Sequence, residues 1–325
     1  VLPMPVVTAG PEASAREGRM ACGDDGRCSA LADGLCSVHR AIGWQPFRPC
    51  AQFPWHFVRV ADGVDITAAF GCGAVGRSLG RPLAEETPAL RRQVATVWAD
   101  LPPVTPRVTL SASGASLDWA TYRAVETALL ACLADTARGG LDRRLDDACR
   151  WLAGLLEATI AEVPMPPKAV PMAPGRRPTD GGAADRLLQR LTIGAPPDLV
   201  TDRMLGGGHY TAWMAGAGDE TASWLDEALL TRYLRAVLFR KPGLAEAGLA
   251  FVWGVVMLAA GLWVRDTTFR ARQAGRVPDG AMQLETARLL DLTLLHSPWL
   301  TELAMHRPTR LAISDPAVWA SLLVR

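Results

Sequence analysis

Four cysteines near the start of the chain are the residues best suited to chemistry. Cys28, Cys36, Cys50 and Cys72 lie beside turn and polar residues rather than inside an apolar helical stripe. Cysteine thiolates bind soft metal ions, and four of them are the number that a structural zinc or an iron-sulfur cluster requires. We therefore predict that these four side chains are metal ligands.

The spacing of these cysteines suggests how they could meet. One turn signal, Asp33-Gly34, lies between the first two cysteines, and a second, Asp62-Gly63, lies between the last two. An Asp-Gly dipeptide tolerates the positive φ of a tight hairpin turn. Folding each hairpin should bring the two sulfurs of a pair towards the same end, and two hairpins packed together would converge four thiolates.

Other interpretations of the cysteines stay open. No Cys-x-x-Cys pair is present, so the spacing is not that of a zinc ribbon, and buried thiols or a redox or disulfide role are the alternatives. Disulfides are disfavoured because Val1 to Pro11 does not read as an export signal. Cys22, His39 and His56 are additional candidate ligands.

The cysteine segment resembles a known family. Residues 25–39 read DGRCSALADGLCSVH, which is similar to the GRC-x-x-L and DGLC-x-I-H pattern of the YkgJ-type cysteine-cluster proteins. RPCAQFP around Cys50 resembles the next cysteine of that family, and FGCG around Cys72 resembles one in its flagellin lysine N-methylase branch. The family's opening C-x-x-C-x-x-CC run has no counterpart before Cys28. Either that run lies upstream of Val1, or the four later thiolates alone hold the metal.

The resemblance implies a function and a cofactor. It implies a bacterial, cytoplasmic, metal-binding protein that holds an iron-sulfur cluster or zinc and has no known activity. The lysine N-methylase branch implies an alternative, an enzyme that uses S-adenosylmethionine to methylate lysines of a flagellin-like protein substrate. Residues 230–239 and 294–298 also resemble helices of that branch. No dinucleotide-type glycine motif appears, so no catalytic or cofactor-binding residue is assigned.

The pattern along the chain predicts an α+β fold, in which a small hairpin-rich cysteine-cluster domain precedes a mainly α-helical domain. We predict a cysteine-cluster domain at 1–82, a helical segment packing on it at 83–163, and an α-helical domain at 183–325. Residues 164–182 are rich in proline, which lacks a backbone donor, and should form a linker.

Helical periodicity predicts where the helices lie. The first is expected after an N-cap at Ser116 and contains Cys132, and the next contains Cys149; both thiols read as small buried hydrophobes. Charged residues on the second helix read as a solvated face, namely Asp142, Arg143, Arg144, Asp146 and Asp147. The expected helices span 116–138, 142–163, 183–192, 219–240, 244–272, 281–295 and 316–324.

The net charge and the hydropathy of the chain indicate which partners to expect. The net charge of +1 and the pI near 7.8 offer no electrostatic basis for binding nucleic acid or an anionic membrane. Residues 247–264 form an uncharged run between Glu246 and Arg265 that is close to the length of a membrane span. We interpret it as a buried central helix, and keep membrane attachment through it as a further alternative.

Overall fold

The computed structural model of the chain describes residues 6–7, 19–20, 28–32, 35–43, 48–98, 101, 107–111, 114–160, 223–295 and 299–322. The chain divides into two compact units, Val1–Phe53 and Pro54–Arg325. The structure is mostly helical with small hairpins near the N-terminus, which is compatible with the predicted α+β class. The division differs from the predicted one, which kept the second hairpin with the cysteine segment up to residue 82.

The first unit contains two short antiparallel strand pairs and two short helices. Strand β1 pairs with β2, and β3 pairs with β4 in the hairpin predicted at Asp33-Gly34. In chain order the elements are β1 (Val6–Val7), β2 (Arg19–Met20), β3 (Leu31–Ala32), β4 (Leu35–Cys36), α1 (Ser37–Ile42) and α2 (Arg48–Gln52).

The second arm of this hairpin is shorter than predicted. The sequence predicts a strand as far as His39, whereas α1 begins at Ser37. The Ser37 N–H and hydroxyl both donate to the Ala30 carbonyl, at 2.8 and 2.9 Å. Because these bonds close the hairpin at Ser37, the chain leaves the strand there and continues as a helix.

The second unit begins with the other predicted hairpin. Strand β5 (Trp55–Val60) pairs with β6 (Gly63–Ala68) in a regular antiparallel ladder, and a shorter hairpin of β7 (Arg107–Thr109) and β8 (Ser116–Asp118) follows. The helices are α3 (Gly73–Gly76), α4 (Thr87–Val97), α5 (Trp119–Ala134), α6 (Leu141–Ile160), α7 (Glu227–Arg240), α8 (Leu244–Ala247), α9 (Leu249–Gln273), α10 (Gly280–Leu290), α11 (Trp299–Met305), α12 (Arg307–Ile313) and α13 (Pro316–Ser321).

Most predicted helices correspond to observed ones, with different bounds. The expected helix 281–295 is α10 followed by a π-helical turn, Asp291–Leu295. The expected linker 164–182 and the expected helix 183–192 lie outside the described residues. The first and last turns of the other helices differ by a few residues from the prediction.

Helix α5 begins at Trp119 rather than after Ser116. The Asp118 carboxylate accepts the N–H of Thr121 at 2.8 Å and so caps the helix. Ser116 instead pairs with Thr109 in the β7–β8 ladder. The predicted N-cap is therefore wrong because strand pairing takes up that serine.

The predicted solvated face of α6 is wrong for three of its five charged residues. Arg144, Asp146 and Asp147 are 2%, 5% and 1% exposed. The Arg144 guanidinium lies 3.0 Å from the Glu227 carboxylate on α7, and the Arg150 guanidinium reaches both aspartates at 2.7 and 3.3 Å. These charges pair with one another as α7 packs against this part of the molecule, so they form a buried polar layer.

Helix α9 is the centre of the hydrophobic core. It is the one helix in the described part of the chain that is long and apolar enough to cross a membrane, and 83% of its apolar window is buried by the protein. An added Cβ at Gly254 would lie 1.9 Å from the Ile313 carbonyl oxygen, so α12 packs directly on its backbone. The predicted central core helix is thus buried by its neighbours.

The expected continuous helix 244–272 is interrupted at Gly248. This residue has φ +86°, and a Cβ there would lie 2.4 Å from the Thr109 carbonyl oxygen. Next to it, the Ala250 N–H donates to the Leu110 carbonyl at 2.8 Å. Glycine is needed because the end of β7 contacts the backbone at the start of α9.

Candidate functional site

Three of the predicted metal ligands belong to the first unit. The Cys28 carbonyl accepts the Leu31 N–H at 2.9 Å, and Leu31 pairs with Cys36 across the β3–β4 hairpin. Cys28 and Cys36 are half-buried, and Cys50, in α2, is exposed. No disulfide is formed by the described cysteines.

The thiol of Cys50 has an altered acidity. Partial desolvation raises its pKa, and the negative charge of ionised Cys28 and Cys36 raises it further. A like charge raises a thiol pKa appreciably only when it is close and little screened. The convergence of the three sulfurs of the first unit on one ion stays a prediction.

Cys72 lies in the second unit. It is the N-cap residue of α3, and its N–H donates to the Ala69 carbonyl at 3.0 Å. The preceding residue, Gly71, donates its N–H to the Asp291 carboxylate at 2.8 Å. The convergence of Cys72 with the other three thiols stays a prediction, since they belong to different units.

The remaining candidate ligands are Cys22, His39 and His56. Cys22 lies outside the described residues, His39 is exposed on α1, and His56 is half-buried on β5. Across the described ranges, no group of three or more His, Cys, Asp or Glu side chains is arranged to hold a metal ion. The prediction of a complete metal site is therefore not tested by these residues.

Cys132 and Cys149 are buried core residues, as predicted. The Cys149 sulfur accepts the indole N–H of Trp253 at 3.3 Å. Burial raises the pKa of Cys132 to about 11 and that of Cys149 to about 12. Both thiols are neutral at physiological pH and are unsuited to metal ligation there.

A buried ionic cluster in the second unit was not anticipated. The Lys241 ammonium contacts the carboxylates of Asp65 and Glu126, and the Arg123 guanidinium bonds the same two carboxylates at 2.7 to 2.8 Å. Tyr122 donates its hydroxyl to Glu126 at 2.9 Å. Lys241 is itself 5% exposed and has φ +55°, an uncommon backbone conformation for a residue with a side chain.

The neighbouring residue, Arg240, forms a second buried ion pair. Its guanidinium contacts Asp291, donates to the Thr67 hydroxyl at 3.1 Å, and donates to the Ala68 carbonyl at 2.8 Å. Asp291 also holds the Gly71 N–H. One carboxylate thus joins the C-terminal end of α7, the first hairpin of this unit and the loop that carries Cys72.

A cavity of about 410 Å³ lies beside these ion pairs, entirely within the second unit. Its walls are β5, β7, the segment from Arg240 to Glu246, Leu295 at the end of the π-helical turn, and α11. Apolar side chains line most of it, with cationic groups from β5 and β7. This volume is within the usual range of small-molecule and peptide side-chain sites.

No family model, no curated protein and no solved structure matches this chain. The resemblance to the YkgJ-type proteins therefore rests on the cysteine segment and the short helical segments quoted above.

The sequence carried a signal for the missed cluster. Lysine occurs only at Lys168 and Lys241 in a chain whose other 32 basic residues are arginine. Such a bias by itself indicates only composition. Lys241, which precedes Pro242-Gly243, is nevertheless the residue that pairs with two buried carboxylates. A lysine at the end of a helix, in a chain that otherwise uses arginine, is the feature that could have indicated the buried ionic cluster.

Proposed function

We propose that the first unit binds a soft metal ion, zinc or iron in an iron-sulfur cluster, through the thiolates of Cys28, Cys36 and Cys50. The observation that supports the proposal is that the three cysteines belong to one small unit, in which Leu31 donates its N–H to the Cys28 carbonyl and pairs with Cys36 across the β3–β4 hairpin. Their chemistry suits such an ion because thiolate sulfur is the preferred ligand of zinc and of iron-sulfur clusters.

The electrostatics of the thiols support a bound cation. When no cation is near, the negative charge of ionised Cys28 and Cys36 raises the pKa of Cys50. A divalent metal reverses this effect, because it stabilises the deprotonated form of each ligand. Binding should therefore release protons near neutral pH.

The packing of the first unit also supports metal binding. None of residues 28–32, 36–43 and 50–53 is buried, and the buried hydrophobic residues of the described chain begin with Phe57 in the second unit. A small unit without a core usually needs a metal or disulfides to stay folded. Structural zinc sites supply on the order of 10 kcal/mol, enough to hold such a unit together.

The experiment uses the full chain, purified without oxygen. We expect about one zinc ion, or iron and sulfide in cluster ratio, by elemental analysis, and a thiolate-to-metal absorption band if iron is bound. Hydrogen exchange followed by mass spectrometry should show that chelation unprotects peptides from residues 28–53 and leaves α9 peptides unchanged.

Serine variants identify the ligands. Cys28→Ser, Cys36→Ser and Cys50→Ser should each reduce the bound metal at least about tenfold, the usual effect of losing a ligand interaction. Ser29→Ala is the matched control, because Ser29 is exposed beside Cys28. Cys72→Ser and Cys22→Ser test the source of a fourth ligand. Full metal content in the triple serine variant, or no zinc or iron in the wild type after reconstitution, contradicts the proposal.

Methyl transfer from S-adenosylmethionine to a protein lysine stays a prediction of the family resemblance, as does a cytoplasmic location. Membrane attachment through residues 247–264 is not favoured, because α9 is enclosed by protein.

A further inference from the structure

The cavity of the second unit is bordered by the edge of a strand. Five consecutive residues of β5, residues 56–60, line it. Side chains of a strand alternate between two faces, so a run of consecutive lining residues means that the cavity meets the strand edge. Strand β5 pairs only with β6 among the described strands, so no described strand lies along its other edge.

The hydrogen-bond register identifies the groups on that edge. The Ala69 N–H donates to the Pro54 carbonyl at 2.7 Å, at the open end of the β5–β6 ladder. Bonded and non-bonded pairs alternate in an antiparallel ladder. Phe57 and Arg59 therefore occupy non-bonded positions, and their N–H and C=O groups point away from β6.

On the opposite edge of the hairpin, an outward-pointing backbone group of β6 forms a hydrogen bond with a side chain. Ala68 occupies an outward position on β6 by the same alternation, and its carbonyl accepts a hydrogen bond from Arg240 at 2.8 Å. In the described part of the chain, no backbone partner is found for the outward groups of Phe57 and Arg59. The β5 edge thus presents two donors and two acceptors to the cavity.

The charges at the cavity favour an acidic ligand. Arg240 and Lys241 are neutralised by buried carboxylates. Arg59 forms no ion pair with a described residue; its guanidinium lies 4.4 Å from the ring centroid of Trp98. Among the lining residues that the structure describes, one carries a carboxylate, the exposed Glu246.

We propose that the second unit binds an extended acidic peptide, which adds as a strand to the free edge of β5. Its backbone bonds the outward groups of Phe57 and Arg59, an apolar side chain enters the cavity, and an acidic side chain pairs with Arg59. Strand addition supplies affinity through main-chain bonds, while the pocket and the charge select the sequence. This binding is separate from metal binding by the first unit.

The experiment measures binding of the fluorescein-labelled peptide Val-Glu-Val-Glu-Val, amidated at its C-terminus, to the full chain by fluorescence anisotropy. We expect saturable binding, and binding roughly tenfold weaker for Val-Lys-Val-Lys-Val, because charge-assisted hydrogen bonds are lost. Arg59→Gln should remove most of this preference. Arg91→Gln, an exposed arginine on α4, is the control.

N-methylated peptides test the strand itself. Methylation of alternate amides removes the donors on one edge of the peptide only. One alternate set should abolish binding, and the other should leave it nearly unchanged. Ala245→Trp, which fills the cavity at an exposed lining position, should weaken binding of all peptides, with folding checked by circular dichroism.

Three results would each overturn the proposal. These are no binding of the acidic peptide at millimolar concentration, equal binding of both N-methylated sets, and equal binding by the Ala245→Trp protein. If the wild-type protein bound the acidic and the basic peptide equally well, Arg59 would have no role in selecting the ligand. None of these peptide-binding measurements depends on metal content. Failure of the peptide proposal can therefore be distinguished from failure of the metal proposal.

Discussion

The Lys241 ammonium lies 2.8 Å from the Glu126 carboxylate, and both side chains are almost completely buried. The same ammonium also contacts Asp65, and Arg123 shares both carboxylates from the more exposed side. The cluster joins the first hairpin of the second unit to α5 and α7. Without it, the β5–β6 hairpin would lose its main polar attachment to the helices.

We predict that Lys241→Met lowers the free energy of unfolding by about 3 kcal/mol or more, because it leaves two buried carboxylates with one cation. Lys241→Arg should also be destabilising, since the guanidinium is larger than the ammonium it replaces. Urea unfolding measures both. Arg81→Gln, which removes an ion pair with Glu86 from a largely exposed arginine, should cost less than about 1 kcal/mol. A Lys241→Met protein as stable as that control would show that the cluster is not needed.

A second prediction concerns the buried pair of Arg240 and Asp291. Either Arg240→Met or Asp291→Leu alone should cost about 3 to 5 kcal/mol, because each leaves one charge buried without its partner. The double variant should be more stable than either single variant. Asp291→Leu should also speed alkylation of Cys72, since Asp291 holds the Gly71 N–H. Additive losses in the double variant would contradict a coupled pair.

The buried thiol of Cys149 predicts a pH dependence. Its pKa is raised to about 12 in the folded protein, whereas an unfolded thiol ionises near pH 9. The unfolded state therefore loses this proton first, and the stabilising contribution is complete below pH 9 and is lost as the pH rises towards 12. Between pH 10 and 11, the unfolding free energy of the Cys149→Ala protein should fall less steeply with pH than that of the wild type. The two slopes should differ by about 1.4 kcal/mol per pH unit. An unchanged decline would contradict the assignment.

The same thiol should be protected from reagents. At pH 8, iodoacetamide should modify Cys50 in the apo protein within minutes and leave Cys149 unmodified until urea is added. Mass spectrometry of tryptic peptides measures both sites in one sample. Rapid modification of native Cys149 would mean that α6 and α9 separate readily.

Two glycines make a matched pair that tests the core. A Cβ on Gly254 would lie 1.9 Å from the Ile313 carbonyl oxygen, whereas one on Gly154 would meet nothing within 4 Å. We expect Gly254→Ala to cost about 3 kcal/mol or more through overpacking. Gly154→Ala should stabilise the protein by roughly 0.5 to 1 kcal/mol, because alanine favours a helix. Thermal unfolding compares the two. Equal effects would mean that α12 does not pack on the α9 backbone.

Local features of the chain were determined by its sequence. The strands that flank Asp33-Gly34 and Asp62-Gly63 pair with each other as predicted, in keeping with the preference of such dipeptides for tight turns. The apolar run of 247–264 became a core helix for a similar reason, since its composition leaves burial as the favourable outcome. The approach of the Cys28 and Cys36 sulfurs, which the first of these turn signals predicts, stays a prediction.

Only the tertiary structure decided which charges are buried. Arg144 and Lys241 look like surface residues in sequence, because local pattern cannot show that a distant helix supplies a carboxylate partner for each. Ser116 looked like a helix cap until pairing with Thr109 placed it in a strand. The edge of β5 beside the cavity likewise depends on α7, α8 and α11 packing around the hairpin. Such outcomes require contacts between residues far apart in the chain, and periodicity records only near neighbours.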